Sequence, residues 1–131
     1  MLTDCHTHLA SYGPQEVGEI VLRAEDANVR LIITAGTTLD TSRIGVDLAQ
    51  AHPSLYASIG IHPMRLLGGW DEHSYEILRH LAQTSPKVVA ISETGIDYLP
   101  NAPDRHWQQQ AFREQIRLAR ELDLPIIWHS Q

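Results

Sequence analysis

The sequence predicts an α/β fold in a single domain over residues 1–131, with parallel strands that alternate with helices. Two observations lead to this class. Short runs of aliphatic and β-branched residues recur five times, and stretches with apolar residues at helical spacing separate them. Strands that alternate with helices in this way form βαβ units, in which neighbouring strands run parallel.

Five strands are expected, at residues 1–4, 30–34, 55–59, 88–91 and 125–128. The second run contains Leu31, Ile32 and Ile33 and is continuously apolar, which is typical of a strand buried on both faces of a parallel sheet. Gly36 interrupts the chain soon after this run and marks the end of the strand.

Four helices are expected between these strands, at residues 16–27, about 40–52, 72–83 and 104–122. The first has apolar residues at positions 17, 20, 21 and 24, which is the i, i+3, i+4, i+7 spacing of one helical face. The second has three candidate N-caps, Asp40, Thr41 and Ser42.

Two architectures fit this alternation, an open doubly wound sheet and part of a (β/α)8 barrel. A complete barrel usually needs about 250 residues. Five strands and four helices in 131 residues therefore correspond to about the first half of one. The chain stops three residues after Trp128, so no helix is expected to cover the fifth strand. Composition does not choose between the two architectures, so the choice depends on the motifs.

Composition restricts the classes of function. A formal net charge of −6 argues against a broad basic surface for duplex DNA, although bound metal ions can supply positive charge locally. The single cysteine, Cys5, cannot form an internal disulfide and is expected to be a small buried residue. With no long apolar run and no signal-like start, we expect a cytoplasmic protein without a membrane partner.

Histidine or glutamate follows four of the five predicted strands. His6 and His8 follow the first, His62 the third, Glu93 the fourth and His129 the fifth. The carboxyl ends of parallel strands share one face of a sheet, where active sites lie, so these distant residues are expected to converge. Imidazole and carboxylate groups bind divalent metals, and the pattern therefore predicts a metal site at this face.

The surroundings of these residues in the sequence support a metal site, and for Glu93 and His129 an ordinary structural role also stays open. His6 and His8 are two residues apart, which points both rings to the same side of an extended chain. Glu93 directly follows an apolar run, and a partly buried carboxylate needs a cation or several hydrogen bonds. The alternatives are that Glu93 pairs with an arginine or caps a loop, and that His129 is a neutral core histidine.

The sequence leaves open the roles of three residues, His62, Asp4 and Asp97. His62 could bind metal, contact a substrate phosphate, or hydrogen-bond within a loop that Pro63 makes rigid. Asp4 and Asp97 could orient the ligand histidines or stabilise turns, and for Asp97 a turn is favoured.

Four motifs in this order resemble the TatD family of metal-dependent deoxyribonucleases. Residues 4–8 (Asp-Cys-His-Thr-His) resemble the family's opening Asp-X-His-X-His, and residues 60–63 (Gly-Ile-His-Pro) its Gly-Ile/Leu-His-Pro. Residues 91–98 resemble its Gly-Glu-Ile/Thr-Gly-Leu-Asp-Tyr, with Glu93 at the glutamate. Residues 108–130 resemble its Gln-X-X-X-Phe-X-X-Gln followed by a Leu-Pro segment that ends in His-Ser.

The resemblance implies a (β/α)8 barrel of the TIM type with two divalent metal ions, magnesium, manganese or zinc, at its carboxyl face. It implies that His6 and His8 hold one ion, that Glu93 bridges both ions as the catalytic carboxylate, and that His129 holds the second. His62 is implied to lie beside the substrate phosphate, and the implied reaction is hydrolysis of phosphodiester bonds in DNA or a related substrate.

The family pattern includes a further histidine after strand six and an aspartate after strand eight. Both lie beyond this chain, so the chain is expected to be the N-terminal part of the barrel, with an incomplete site. Two other functions stay open: an amide or ester hydrolase of the related amidohydrolase-like type, and a non-catalytic half-barrel that binds metal. The first and fifth strands would be open edges, so self-association is also expected.

Overall fold

The structure, a computed structural model, describes residues 1–131 and has five strands and four α-helices that alternate along the chain. The strands are β1 (Leu2–Thr7), β2 (Val29–Ala35), β3 (Leu55–Ile59), β4 (Val88–Ile96) and β5 (Ile126–Ser130). The helices are α1 (Pro14–Asp26), α2 (Leu39–Ala51), α3 (Glu72–Thr84) and α4 (Arg105–Leu122), with a short 3₁₀ turn at Pro63–Arg65. None of these helices is both long and apolar enough to cross a membrane.

The strands form one parallel sheet in the order β1-β2-β3-β4-β5. A doubly wound sheet would reverse its strand order at a switch point, whereas a barrel adds each strand beside the one before it. Right-handed crossovers that all advance in the same direction leave their helices on one side of the sheet. In agreement, α2 packs against α3 and α3 packs against α4. The predicted fold, a half-barrel of the TIM type, is confirmed.

The core lies between the helical layer and the sheet. The strands contribute fully buried aliphatic side chains such as Leu55, Ile59 and Ile91, and the helices contribute Leu78 and Leu118. Each side chain of this kind stabilises the fold by roughly 1.5–3 kcal/mol relative to an exposed position. The core therefore fixes the sheet against the helices and leaves the carboxyl edge of the sheet for other residues.

The start of α2 differs from the prediction. Thr38 is its N-cap, and the hydroxyl of Thr38 accepts a hydrogen bond from the backbone N–H of Thr41 at 3.1 Å. Thr41 returns a bond, since its hydroxyl accepts from the N–H of Thr38 at 2.9 Å. This reciprocal capping box satisfies two helix-end donors and starts the helix earlier than a cap at Asp40, Thr41 or Ser42 would.

Three strands run past their apolar segments, so His6, Glu93 and His129 lie within β1, β4 and β5 instead of after them. Strand pairing depends on backbone groups and continues after hydrophobic residues end, as in the pairing of Gly95 with His129. The register is irregular between Asp4 and Thr7 and between Ile91 and Thr94. Such irregularities change the direction in which side chains project, and His6 and Glu93 lie within these two segments.

Cys5 is exposed, contrary to the expectation that it is buried. The reason is its position on β1, which pairs only with β2 and is therefore an edge of the sheet. Residues 2–6 of this strand are all exposed, so an edge position, not side-chain type, decides the burial of Cys5.

Candidate metal centre

Glu93 is the centre of a cluster of imidazoles at the carboxyl edge of the sheet. Its Oε1 is paired with Nε2 of His6 and lies 3.2 Å from Nε2 of His8. Its Oε2 lies 3.3 Å from Nε2 of His62 and 3.8 Å from Nδ1 of His129. The structure thus brings together all five residues that the sequence singled out, from β1, β3, β4 and β5 or the loops directly after them.

The cluster suits divalent cations. Glu93 is only 8% exposed, and its ionic partners are histidines, with no arginine or lysine among them. A buried carboxylate needs a compensating cation, and neutral imidazoles with a carboxylate are the donors that zinc and manganese accept. Potential ligand atoms form two groups, and within each group they lie within 4.8 Å of one another. One group is His6, His8 and Glu93, and the other is His62, Glu93 and His129. The first group therefore fits one ion, and Glu93 with its neighbours in the second group offers ligands for another.

Hydrogen bonds to the second ring nitrogen orient two of these histidines. Nδ1 of His8 lies 3.1 Å from the carbonyl oxygen of Ala35, which can only accept, so His8 donates there and its Nε2 is free to face Glu93. Nε2 of His129 lies 3.1 Å from Oδ2 of Asp97, which leaves Nδ1 of His129 towards Glu93. A donor bond from one nitrogen that leaves the other with a free lone pair is the usual arrangement of metal-binding histidines.

His62 is held in the opposite way. Its Nδ1 accepts a hydrogen bond from the backbone N–H of Met64 at 3.0 Å. In the neutral ring the proton is therefore on Nε2, the atom that faces Glu93. Burial is the main cause that lowers the pKa of His62, and nearby His129 lowers it further, so the neutral ring is favoured. A neutral His62 is a hydrogen-bond donor at this position, which fits contact with a phosphate oxygen better than metal ligation.

Asp97 both closes a turn and orients a histidine, although the sequence favoured the turn alone. Its Oδ1 accepts from the N–H of Leu99 at 2.9 Å, and its Oδ2 takes the bond from His129. The side chain is buried, and the pKa of Asp97 is lowered, first by the Leu99 hydrogen bond and in part by His129. Asp4 has only a local role, since it accepts from the N–H of His6 at 3.1 Å.

A cavity of about 570 Å³ opens beside the cluster. Its lining includes His8, His62 and Glu93, together with Thr37, Thr41 and Arg65. Arg65 is exposed and its side chain makes no hydrogen bond or ion pair within the chain. The cavity thus joins the carboxylate–histidine cluster to an arginine that is available for an anion. Sequence reasoning did not identify Arg65, because nothing in the sequence separates it from other surface arginines.

Comparison with known proteins identifies the family of the chain. A sequence model of the family described as TatD-related DNase matches residues 3–131. The chain belongs to the TatD family.

TatD relatives match along nearly the whole chain. The uncharacterized metal-dependent hydrolase YabD of Bacillus subtilis is 34% identical over 132 residues, which covers 100% of this chain and 51% of YabD. The 3'-5' ssDNA/RNA exonuclease TatD of Erwinia tasmaniensis is 36% identical over 114 residues, covering 86% of this chain and 43% of that protein. The crystal structure of the TatD homolog YjjV of Escherichia coli matches with a TM-score of 0.84 at 33% identity, over 99% of this chain and 51% of YjjV. The chain therefore spans about half the length of these TatD relatives.

Proposed function

We propose that this chain carries the metal-binding part of a phosphodiesterase that acts on single-stranded nucleic acid. The observation that carries the proposal is the buried carboxylate of Glu93 with four imidazoles around it. Relatives named metal-dependent hydrolase and ssDNA/RNA exonuclease support it. A net charge of −6 also favours a local site over a broad surface that would hold duplex DNA.

The proposed roles follow from the contacts of each side chain. His6 and His8 would hold one ion, Glu93 would serve both ions as the catalytic carboxylate, and His129 would be a ligand of the second ion. Divalent ions at such a site supply Lewis acidity that polarises a phosphoryl oxygen and activates water. His62 binds the substrate by donating the Nε2 proton to a phosphate oxygen. Arg65, at the rim of the same cavity, pairs with phosphate charge.

The full site in the family pattern has two more ligands, a histidine and an aspartate, than these residues provide. We therefore expect the 131-residue chain to bind ions and to reach full turnover only where those two ligands are supplied. Ion affinity and catalytic rate should accordingly be measured separately.

The proposal is tested with the purified chain extended by a segment that supplies the two further ligands, together with manganese and an end-labelled single-stranded oligonucleotide. Hydrolysis should require manganese, stop with chelator, and be lost in Glu93→Gln. The control Glu76→Gln removes the same charge from an exposed position on α3 and should retain the activity. Hydrolysis of a small cyclic amide with no cleavage of DNA would overturn the proposal in favour of an amidohydrolase, and ion binding without turnover of either substrate would favour a non-catalytic half-barrel.

A further inference from the structure

We infer that two buried glutamines of α4, Gln108 and Gln115, are positioning residues that set the rings of His129 and His62. The inference deepens the proposed function and rests on it for the roles of the two histidines. Both glutamines are fully buried, and the hydrogen bonds of both are with backbone groups, not with side chains of the cluster. Each instead holds the backbone of a segment that controls one histidine.

Gln115 holds the loop that carries His62. Its side-chain oxygen accepts from the N–H of Ile61 at 2.8 Å, and its NH₂ group donates to the carbonyl of Ile61 at 3.2 Å. The side-chain amide thus pairs with both polar groups of the residue directly before His62. Ser42 of α2 binds the preceding residue, Gly60, in a similar way. Its hydroxyl oxygen lies 3.1 Å from the backbone nitrogen and 3.3 Å from the carbonyl oxygen of Gly60.

The loop also approaches β4 closely at Gly60. A Cβ at Gly60 would overlap the backbone carbonyl of Ser92 and crowd the side-chain oxygen of Gln115. The backbone therefore passes between β4 and α4 at a distance that only glycine permits. Paired amide bonds fix both the position and the rotation of Ile61, and the ring of His62 follows one residue later.

Gln108 holds the end of β4 in the same way. Its oxygen accepts from the N–H of Asp97 at 2.7 Å, while its NH₂ group donates to the carbonyls of Asp97 at 3.1 Å and Pro103 at 2.8 Å. The side-chain oxygen and both N–H groups of the Gln108 amide are thus hydrogen-bonded to the backbone. The carboxylate of Asp97 in turn orients His129 through the 3.1 Å bond to Nε2.

The two glutamines are seven residues apart, about two helical turns, so they project from one face of α4. Both present the same chemistry, an amide that matches a backbone N–H and C=O. A nonpolar replacement would leave these backbone groups without their side-chain partners, which is unfavourable for N–H and C=O groups away from water. By contrast, the rings of His6 and His8 contact each other, Ala35 and Glu93, and neither ring hydrogen-bonds a residue of α4.

This arrangement predicts crossed effects that a merely structural role would not produce. We would record nitrogen NMR signals of the histidine rings in the metal-free chain, for Gln108→Met and Gln115→Met. The two rings are in contact, with centroids 4.2 Å apart, so each senses a change in the other. Gln108→Met should therefore alter the signals of His129 more than those of His62, whereas Gln115→Met should do the reverse. The signals of His6 and His8 should stay in place in both variants.

Two control variants accompany these. Gln109→Met changes an exposed glutamine of the same helix, and it should alter no ring signal. Leu118→Ala opens the core below the same helix and lowers the stability of the fold without removing a loop contact. If either methionine variant fails to fold, Gln108→Asn and Gln115→Asn replace them, because they keep a neutral amide and shorten its reach to the backbone groups.

Binding measurements give a second readout. Gln108→Met should weaken manganese binding at the second site by about 10–100-fold, as other changes behind a ligand histidine do. Gln115→Met should leave manganese affinity unchanged and weaken the binding of an oligothymidylate. Equal losses in both variants, ring signals that Leu118→Ala reproduces, or no change in either histidine would overturn the inference. If the parent chain binds no second ion, the proposed function fails at that point, while the crossed pattern of the metal-free ring signals still decides the roles of the glutamines.

Discussion

Oδ2 of Asp97 lies 3.1 Å from Nε2 of His129, and this bond leaves the opposite ring nitrogen to face Glu93. The second oxygen of Asp97 accepts from the N–H of Leu99, so one buried carboxylate both shapes the loop after β4 and orients a residue of β5. The same bonds favour the ionised form and lower the pKa of Asp97. The orientation of His129 therefore depends on the charge of Asp97.

The stability of the metal-free chain should fall at acid pH in a way that depends on Asp97. Its folded-state pKa lies below the ordinary 3.8, so around that pH the unfolded chain binds more protons than the folded chain. The stabilisation is present above pH 3.8 and is lost as the pH falls through the lower folded value. Urea unfolding of the parent and of Asp97→Asn at a series of pH values measures it.

Asp97→Asn should be less stable than the parent at neutral pH, and the difference should shrink on acidification through this window. Asp47→Asn is the matched control, because Asp47 is exposed on α2 and makes no side-chain hydrogen bond. A constant difference between the parent and Asp97→Asn at all pH values would show that the ionised carboxylate does not contribute.

Manganese affinity should depend more on Glu93 than on His62. Glu93→Gln removes the charge that both groups of ligands share, whereas His62 has its proton on the nitrogen that faces the cluster. Isothermal titration with manganese should show loss of both binding events in Glu93→Gln and a change of less than about tenfold in His62→Gln, because a histidine that is not a ligand acts only through its neighbours. The reverse ranking would identify His62 as a ligand and remove Glu93 from the bridging role.

Arg65 should contribute to substrate binding. Arg65→Ala should weaken binding of a fluorescent oligothymidylate by roughly tenfold at low salt, and the slope of log affinity against log salt should fall by about 0.7, the value for one lost phosphate contact on a single strand. Arg113→Ala is the control, since Arg113 is exposed on α4 and lies outside the cavity beside the cluster. If both variants lose affinity equally, only general charge is involved, and Arg65 has no specific contact.

The architecture and the cluster could be predicted because both follow from local patterns. Apolar runs that alternate with helical spacing specify βαβ units, and the topology of such units brings the strand ends together whatever separates them in sequence. That is why His6, Glu93 and His129 could be selected without knowledge of any contact between them. The exact strand ends could not be predicted, since backbone pairing between β4 and β5 continues beyond the apolar residues that mark them.

The hydrogen bonds that hold the loops of the site in place could not be predicted, and the physical reason is a different one. Gln115 binds the backbone of Ile61, which is 54 positions away, and Gln108 binds the backbone of Asp97, 11 positions away. Backbone groups are the same at every residue, so the side-chain sequence gives no sign of which ones a glutamine reaches. The resemblance to the TatD motif contained both glutamines, but their partners are evident only in the structure.

The isolated chain should self-associate through its sheet edges. β1 and β5 each have a neighbour on one side only, and unpaired strand edges recruit other strands. The edges also carry exposed apolar side chains, with Leu2 60% and Trp128 66% exposed. A second copy of this chain offers the same edges and is the partner we expect. Sedimentation velocity over a range of concentrations should show association that increases with concentration.

Trp128→Lys should reduce this association, because a lysine at a strand edge disfavours both pairing and apolar contact. Leu67→Lys is the control: Leu67 is 95% exposed but lies in the loop between β3 and α3, so its replacement should leave the association unchanged. Because a second copy brings the same ligand set, association should not raise the rate of DNA cleavage. A chain that stays monomeric at every concentration would contradict the edge argument, and equal effects of the two lysines would indicate nonspecific apolar contact in place of edge pairing.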